Sequence, residues 1–159
     1  MIDDTDTKIL KILQQDARSS SAEIARQVGM APSAIHERLR KLEARGVIEG
    51  YETRICAEAL GLGLVAFVFV RVDERVGQHR AGTQLAAIPE VQEVHHVAGE
   101  DCYLVKVRVA NTHALGRLLR EQFGAIDSVL STRSTIVLTT LKETTQLPLT
   151  TGTLEAANE

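Results

Sequence analysis

Residues 20–42 read SSAEIARQVGMAPSAIHERLRKL, and this stretch decides the architecture of the N-terminal part of the chain. Ser20 and Glu23 stand in the S-x-x-E spacing of a capping box. There the hydroxyl accepts from a first-turn amide, and the carboxylate accepts from the amide of the cap residue itself. Ile24, Ala25 and Val28 then supply one apolar face. Gly29 suits the left-handed residue that closes a helix. Pro32 opens a second helix, where its missing N–H would have no partner anyway. Ile35, Leu39 and Leu42 recur at i, i+4 and i+7, and Gly46 ends the run. Two short helices joined by a Gly turn, the second of them basic, make a helix-turn-helix, whose second helix enters the DNA major groove. One signal is weak. Ala31 holds the N-cap position of the second helix, where Ser or Thr is worth about 1 kcal/mol more.

Helical geometry sorts the side chains of the second helix. At about 100° per residue, Ser33, Glu37 and Arg40 lie opposite Ile35, with Ala34 and Lys41 on one flank and His36 on the other. Together with Arg38 and Arg45 these are the candidate DNA-binding residues. Arg40 suits guanine, Glu37 suits cytosine, and Ser33 suits several bases. Arg38, Lys41 and Arg45 are placed to meet phosphates, which give affinity but little sequence information. A helix rich in Arg and Glu is also what a plain solvated face looks like. The capping box, the Gly turn, the Pro start and the apolar spacing, taken together, favour the DNA-binding motif.

Neighbouring segments extend the motif. Asp3 and Asp6 cap a preceding helix in a D-x-x-D arrangement that suits its positive end, and Ile9, Ile12 and Leu13, with Leu10 nearby, form its buried stripe. After Gly46, VIEGYETRI has the length of a small wing or of a strand leading out of the domain.

Bulk properties set limits. The chain has 159 residues and a formal net charge of −3, so it is not a general polycation. Charge is local instead: Arg38, Arg40, Lys41 and Arg45 outnumber Glu37 and Glu43 within residues 31–45. Such a patch predicts specific docking supported by dimerisation rather than strong indiscriminate binding. The cysteines, Cys56 and Cys102, have no metal spacing and read as reduced thiols. The opening Met1-Ile2-Asp3 lacks a secretory leader pattern, and the apolar run at 60–70 is too short to span a bilayer. The expectation is a cytoplasmic protein with no membrane partner.

The second half is richer in strands. ICAEALGLG, at 55–63, separates the two regions. LVAFVFVRVD, at 64–73, is a strand with Leu64, Ala66, Val68, Val70 and Val72 on one face and Val65, Phe67 and Phe69 on the other. Two apolar faces predict a strand inside a covered sheet. A helix at 79–88, a strand at 91–98, a turn at 99–101, a strand at 103–109, a helix at 112–123 and a strand at 129–141 follow. The order is βαββαβ, the ferredoxin-like arrangement. The fold class is therefore α+β: an N-terminal helix-turn-helix, winged-helix-like domain and a C-terminal ferredoxin-like domain. Two helices cover one face of such a sheet, so Phe67 and Phe69 on the other face call for a partner, most simply a second copy of the chain.

At this point the chain resembles the Lrp/AsnC, or feast/famine, family of transcriptional regulators. The opening of that family is matched by Asp3, Asp6, Ile9 and Leu10. Its helix-turn-helix pattern is matched by Ser20, Glu23, Ile24, Ala25, Val28, Gly29, Met30, Ile35, Arg38, Leu39, Leu42 and Glu43, and its G-x-I-x-G-Y segment by Gly46, Ile48, Gly50 and Tyr51. Gly99, Tyr103, Leu104 and Lys106 match a G-x-x-D-Y-L-L-K pattern, and Thr132 and Ser134 match a T-x-T/S pair. The resemblance implies an N-terminal domain that binds double-stranded DNA at a pseudo-palindromic operator. It also implies a C-terminal domain that dimerises, assembles to an octamer or similar ring, and binds a small effector, typically an amino acid. The candidate effector residues are Gly99, Glu100, Asp101, Cys102, Tyr103, Thr132 and Ser134. Cys102 departs from the family pattern, standing where many relatives have Asp. Glu100 and Asp101 beside it are the candidates for an ammonium group.

These readings divide the chain into a DNA-binding domain at 1–50, a linker strand or hinge at 51–63, an effector-binding and oligomerisation domain at 64–142 and an extension at 143–159. The Thr-rich extension, with Pro148 and Gly152, reads as loose or docked on a partner. His95 and His96 are adjacent on a strand and point to opposite faces, which suits a structural role better than a shared metal. No nucleophile–base pair, HExxH motif or phosphate-binding loop is present, so no catalytic residue, metal or cofactor is assigned. Two other functions stand beside the regulator: a tetrapyrrole decarboxylase of similar fold, and an effector-binding protein that does not bind DNA.

Overall fold

The computed structural model describes residues 2–75 and 77–149. The chain divides into two units, one formed by residues 1–54 and 143–159, the other by residues 55–142.

The first unit contains three helices, α1 (Asp4–Gln15), α2 (Ser21–Val28) and α3 (Pro32–Ala44). Each start follows from its sequence. Asp3 Oδ1 accepts from the Asp6 amide at 2.7 Å, and Ser20 Oγ accepts from the Glu23 amide at 3.2 Å while Glu23 accepts from the Ser20 amide at 2.7 Å. Gly29 closes α2 at φ 79°, a conformation that costs an L side chain energy. Pro32 starts α3, and Ala31 makes no side-chain cap. Ile9, Ile24, Ala25, Ile35 and Leu42 form the core, with Leu10, Ile12, Leu13, Val28, Met30 and Leu39 packed around it.

The segment expected to form a wing or exit strand does not do so. Residues 47–56 contain no strand. Val47 and Ile48 instead donate back to the carbonyl of Leu42 and pack on the helical core. A strand needs a ladder partner, and this segment finds none among the described residues of its unit. The extension is also partly described. Residues 143–149 belong to the first unit, where the Leu147 amide donates to Gln14 Oε1 at 2.6 Å and Gln14 Nε2 donates to the Leu147 carbonyl at 3.1 Å. Gln146 Nε2 adds a bond to the Gln14 carbonyl at 2.7 Å. Residues 150–159, including Gly152, lie outside the described residues.

The second unit is an antiparallel four-stranded sheet with strand order β2-β3-β1-β4: β1 (Leu64–Val72), β2 (Val91–His96), β3 (Tyr103–Val109) and β4 (Val129–Ile136). The helices are α4 (Arg80–Ala86) and α5 (Thr112–Leu118), the latter running on into a wider helical turn at Leu119–Phe123. This is the βαββαβ arrangement. Ala66, Val68, Val70, Val105, Val107 and Val109 pack with Ala81, Leu85, Leu115, Leu118 and Phe123 to form the core. Gly82 permits close packing of α4, since a Cβ there would lie 2.7 Å from Cε1 of Tyr103.

β4 is shorter than the strand expected at 129–141. It ends at Ile136 rather than near Leu141, because its partner β1 begins at Leu64 and the ladder closes with the Val137 amide on the Val65 carbonyl. Beyond it Leu138 and Leu141 are exposed. Among the described residues the helices cover one face of β1, and the other is more open, although Val65 on it is buried. Phe67 and Phe69, alternate to the buried Ala66, Val68 and Val70, are half-buried on the open face. No helix among the described residues is long and apolar enough to cross a membrane.

Candidate DNA-reading face and effector turn

α3 buries Ile35 and Leu42 and turns Ser33, His36, Glu37, Arg40 and Lys41 to solvent, with Arg45 exposed at its end and Ala34 half-buried. The first turn of α3 carries no acidic residue, so its positive end is not neutralised by its own side chains.

Two of the charged residues are already engaged with one another. Arg40 donates through Nε to Glu37 Oε2 at 3.1 Å and through Nη2 to Glu37 Oε1 at 2.9 Å. Lys41 Nζ lies 3.6 Å from Glu37 Oε1. The hydrogen bond from Arg40, and then the positive charges of Arg40 and Lys41, hold the Glu37 carboxyl down at about 2. The i, i+3 and i, i+4 spacings are the signal from which these pairs are legible.

Arg38, expected to meet phosphate, is engaged within the unit: Nη1 donates to Asp3 Oδ2 and to Asp6 Oδ1, each at 2.7 Å. The reason is its position close to the apolar edge of α3, facing the N-terminus of α1. There two carboxylates satisfy it and raise the guanidinium pKa. Arg38 ties α3 to α1.

In the second unit, the turn between β2 and β3 is closed by the Val97 amide on the Cys102 carbonyl at 2.9 Å. Gly99 sits in it at φ 139°. Asp101 Oδ2 accepts from Arg133 Nη2 at 2.8 Å, and the same guanidinium lies 4.1 Å from the centroid of the Phe69 ring. Sequence spacing carries no signal for that pair, because it depends on strand order. Glu100 is exposed. Cys102 Sγ lies 3.8 Å from the Val72 carbonyl.

The remaining expected effector residues sit elsewhere. Tyr103 is buried at the helix-covered face, its hydroxyl 3.4 Å from Nδ1 of His79, and burial raises its pKa. Thr132 pairs with Val70 and Ser134 with Val68, so both share that face, yet both are exposed because β4 is an edge strand. β1 lies between β3 and β4. The turn nevertheless reaches β4, since Asp101 bonds Arg133 between them, but Arg133 takes the face of Phe69 whereas Thr132 and Ser134 take the face of Val70 and Val68. His95 and His96 do take opposite faces. His95 bonds Glu93 at 3.1 Å on the open face, and His96 stacks edge-on with His79 at 4.8 Å on the other.

A three-helix unit with an exposed polar α3, followed by a ferredoxin-like unit with an open face, defines the class of helix-turn-helix regulators that carry a second, ligand-binding domain. The comparisons agree. Residues 2–49 match the model of a winged helix-turn-helix DNA-binding domain, and residues 65–147 match that of the Lrp/AsnC ligand binding domain. The HTH-type transcriptional regulator FL11 of Pyrococcus horikoshii is 41% identical over 149 residues, which is 93% of this chain and 97% of the relative. A transcriptional regulator of Neisseria meningitidis, solved as its L-Met complex, has a TM-score of 0.87 at 29% identity, over 94% of this chain and 97% of that one. A feast or famine regulatory protein of Mycobacterium tuberculosis, complexed with L-methionine, has a TM-score of 0.85 at 38% identity, over 92% of this chain and 99% of that one. The chain belongs to the Lrp/AsnC family of transcriptional regulators.

Proposed function

We propose that this regulator reads a pseudo-palindromic operator through the exposed face of α3, works as a dimer or higher assembly of dimers, and answers to a small amino acid bound in its C-terminal domain. The reading is that of a cytoplasmic binding protein rather than an enzyme, in line with the relatives that are transcriptional regulators. The face of α3 is the observation that carries it: Ser33, His36, Glu37, Arg40 and Lys41 project together from a helix whose other side is core.

The amino acid is supported by the two structural relatives solved with L-methionine. Backbone amides of the Gly99–Asp101 turn, together with hydroxyls of Thr132 and Ser134, suit its carboxylate. Glu100 suits its ammonium group, since Asp101 is engaged by Arg133. Because Asp101 and Arg133 share one face of the sheet while Thr132 and Ser134 are exposed on the other face of the edge strand β4, a ligand touching both groups is best completed by a second copy of the chain. Such a site links binding to assembly, because a ligand shifts an equilibrium by its differential affinity for the two states.

The test is equilibrium binding to a selected operator and to random DNA. Arg40→Ala is expected to weaken operator binding by about 1–3 kcal/mol and relax preference at one base position. Lys41→Ala is expected to weaken both DNAs alike and lower the salt slope by about one. Equal effects of both substitutions on all sequences contradict the assignment. For the effector, calorimetry with L-methionine and the other amino acids is expected to find a ligand whose affinity falls in Glu100→Ala and Ser134→Ala. Unchanged affinity in both variants places the pocket elsewhere.

A further inference from the structure

We propose that Glu37 is the specificity-determining residue of α3: it positions the Arg40 guanidinium for a guanine edge and withholds it from phosphate. This rests on the reading of α3 as the groove helix.

The geometry of the pair is the argument. Glu37 grips Arg40 side-on, through Nε at 3.1 Å and Nη2 at 2.9 Å. A guanidinium carries five N–H donors in a fixed plane, and this grip uses two of them. The donors left over include the forward fork of Nη1 and Nη2, and a two-point fork of this kind matches O6 and N7 of guanine. Arg40 therefore need not leave Glu37 to read a guanine. It reaches the groove with its plane already set, and less side-chain freedom is lost on contact.

Phosphate meets the opposite situation. Glu37 is the one acid among the exposed residues Ser33, His36, Glu37, Arg40 and Lys41 of this face. Its carboxylate neutralises Arg40 and draws on Lys41, with Nζ 3.6 Å away. It also repels the phosphate oxygens that supply most non-specific affinity. The fold does not need the pair: both side chains are about half exposed or more, at 64% and 48%, and such ion pairs contribute little to stability. The carboxyl stays ionised far below neutral pH, so the device is in place throughout the physiological range.

The experiment uses the intact protein, a duplex enriched from a random pool by the wild type, and a random duplex of equal length. Binding is followed by fluorescence anisotropy for wild type, Glu37→Gln, Arg40→Ala and the double variant. Glu37→Gln is expected to tighten random-DNA binding and to lower the operator-to-random affinity ratio about tenfold or more. In the Arg40→Ala background the same substitution is expected to leave the ratio unchanged to within about twofold, because Glu37 acts through Arg40. A second readout replaces the guanines of the operator one at a time by 7-deazaguanine, which lacks the N7 acceptor. Wild type is expected to lose affinity at one position, and Glu37→Gln to lose much less there. A ratio that Glu37→Gln does not change, or changes equally with and without Arg40, overturns the proposal while leaving the groove-helix reading intact. A wild-type protein that enriches no sequence overturns that reading, and the proposal with it.

Discussion

In the N-terminal unit, the Arg38 guanidinium joins α3 to the capped start of α1, where Asp3 and Asp6 each accept from it at 2.7 Å. The Asp6 side chain is only 10% exposed. Removing Arg38 leaves that carboxylate beside a second one without a counter-charge, and a charged group stranded in this way is destabilising. Arg38→Ala is expected to lower the stability of the N-terminal unit by about 1–3 kcal/mol in urea denaturation. If stability is unchanged while DNA binding weakens, Arg38 is a phosphate contact after all. Acid tests the same cluster. The Asp6 amide first, and then Arg38 against the opposing effect of burial, holds the Asp3 carboxyl below its ordinary 3.8. A depressed carboxylate stabilises the fold fully above that value and loses its contribution as pH falls through the lower folded value. The stability gap between wild type and Asp3→Asn should therefore shrink below about pH 4, as read by urea midpoints. A gap that stays constant into strong acid contradicts this account. The exposed residues of α3 were legible from the angular spacing of their neighbours. The partner of Arg38 was not, because it lies on another helix, more than thirty residues away.

Among the three helices of the N-terminal unit, α3 is the one whose cap residue makes no side-chain bond. Ala31 has the extended backbone of an N-cap and offers no side-chain acceptor, whereas Asp3 and Ser20 each cap their helices. Ala31→Ser is expected to raise stability by about 0.5–1 kcal/mol, seen as a higher melting temperature. No rise, with the helix intact by circular dichroism, would mean that water already satisfies the end of the helix. The helices of the motif were readable because caps, turn glycines and apolar spacing are local signals. So was the βαββαβ order, which follows from the period of each run. Ladder ends were not local. The reading of 129–141 as one strand overran to Leu141 because β-branched and apolar residues continue past Ile136, while the partner that ends the strand lies some seventy residues earlier. The segment after Gly46 was read as a wing or strand because of its β-branched content. Propensity without a pairing edge does not make a strand.

At the scale of the molecule, the open face of the sheet carries Phe67 and Phe69 beside Leu104, with Lys106, held by Glu93, opposite Phe67 and the Asp101-bound Arg133 guanidinium over the Phe69 ring. Half-buried aromatic rings on a sheet face favour covering by a second copy. Phe69→Glu is expected to lower the mass of the assembly in multi-angle light scattering while leaving the circular dichroism of the fold in place. An unchanged mass assigns the interface to another surface. The candidate effector site was legible only in part, since the motif named the turn and the hydroxyls but not the Asp101–Arg133 pair, which depends on strand order. The central claim, that an assembly of this chain reads DNA through α3, is met most directly by hydroxyl-radical footprinting of the intact protein on an operator enriched by the wild type. The account predicts paired protections on one side of the duplex, spaced by a helical turn of about 10 base pairs or its multiples, and lost in Arg40→Ala/Lys41→Ala. Protection that survives that double substitution, or no protection at all, would contradict it.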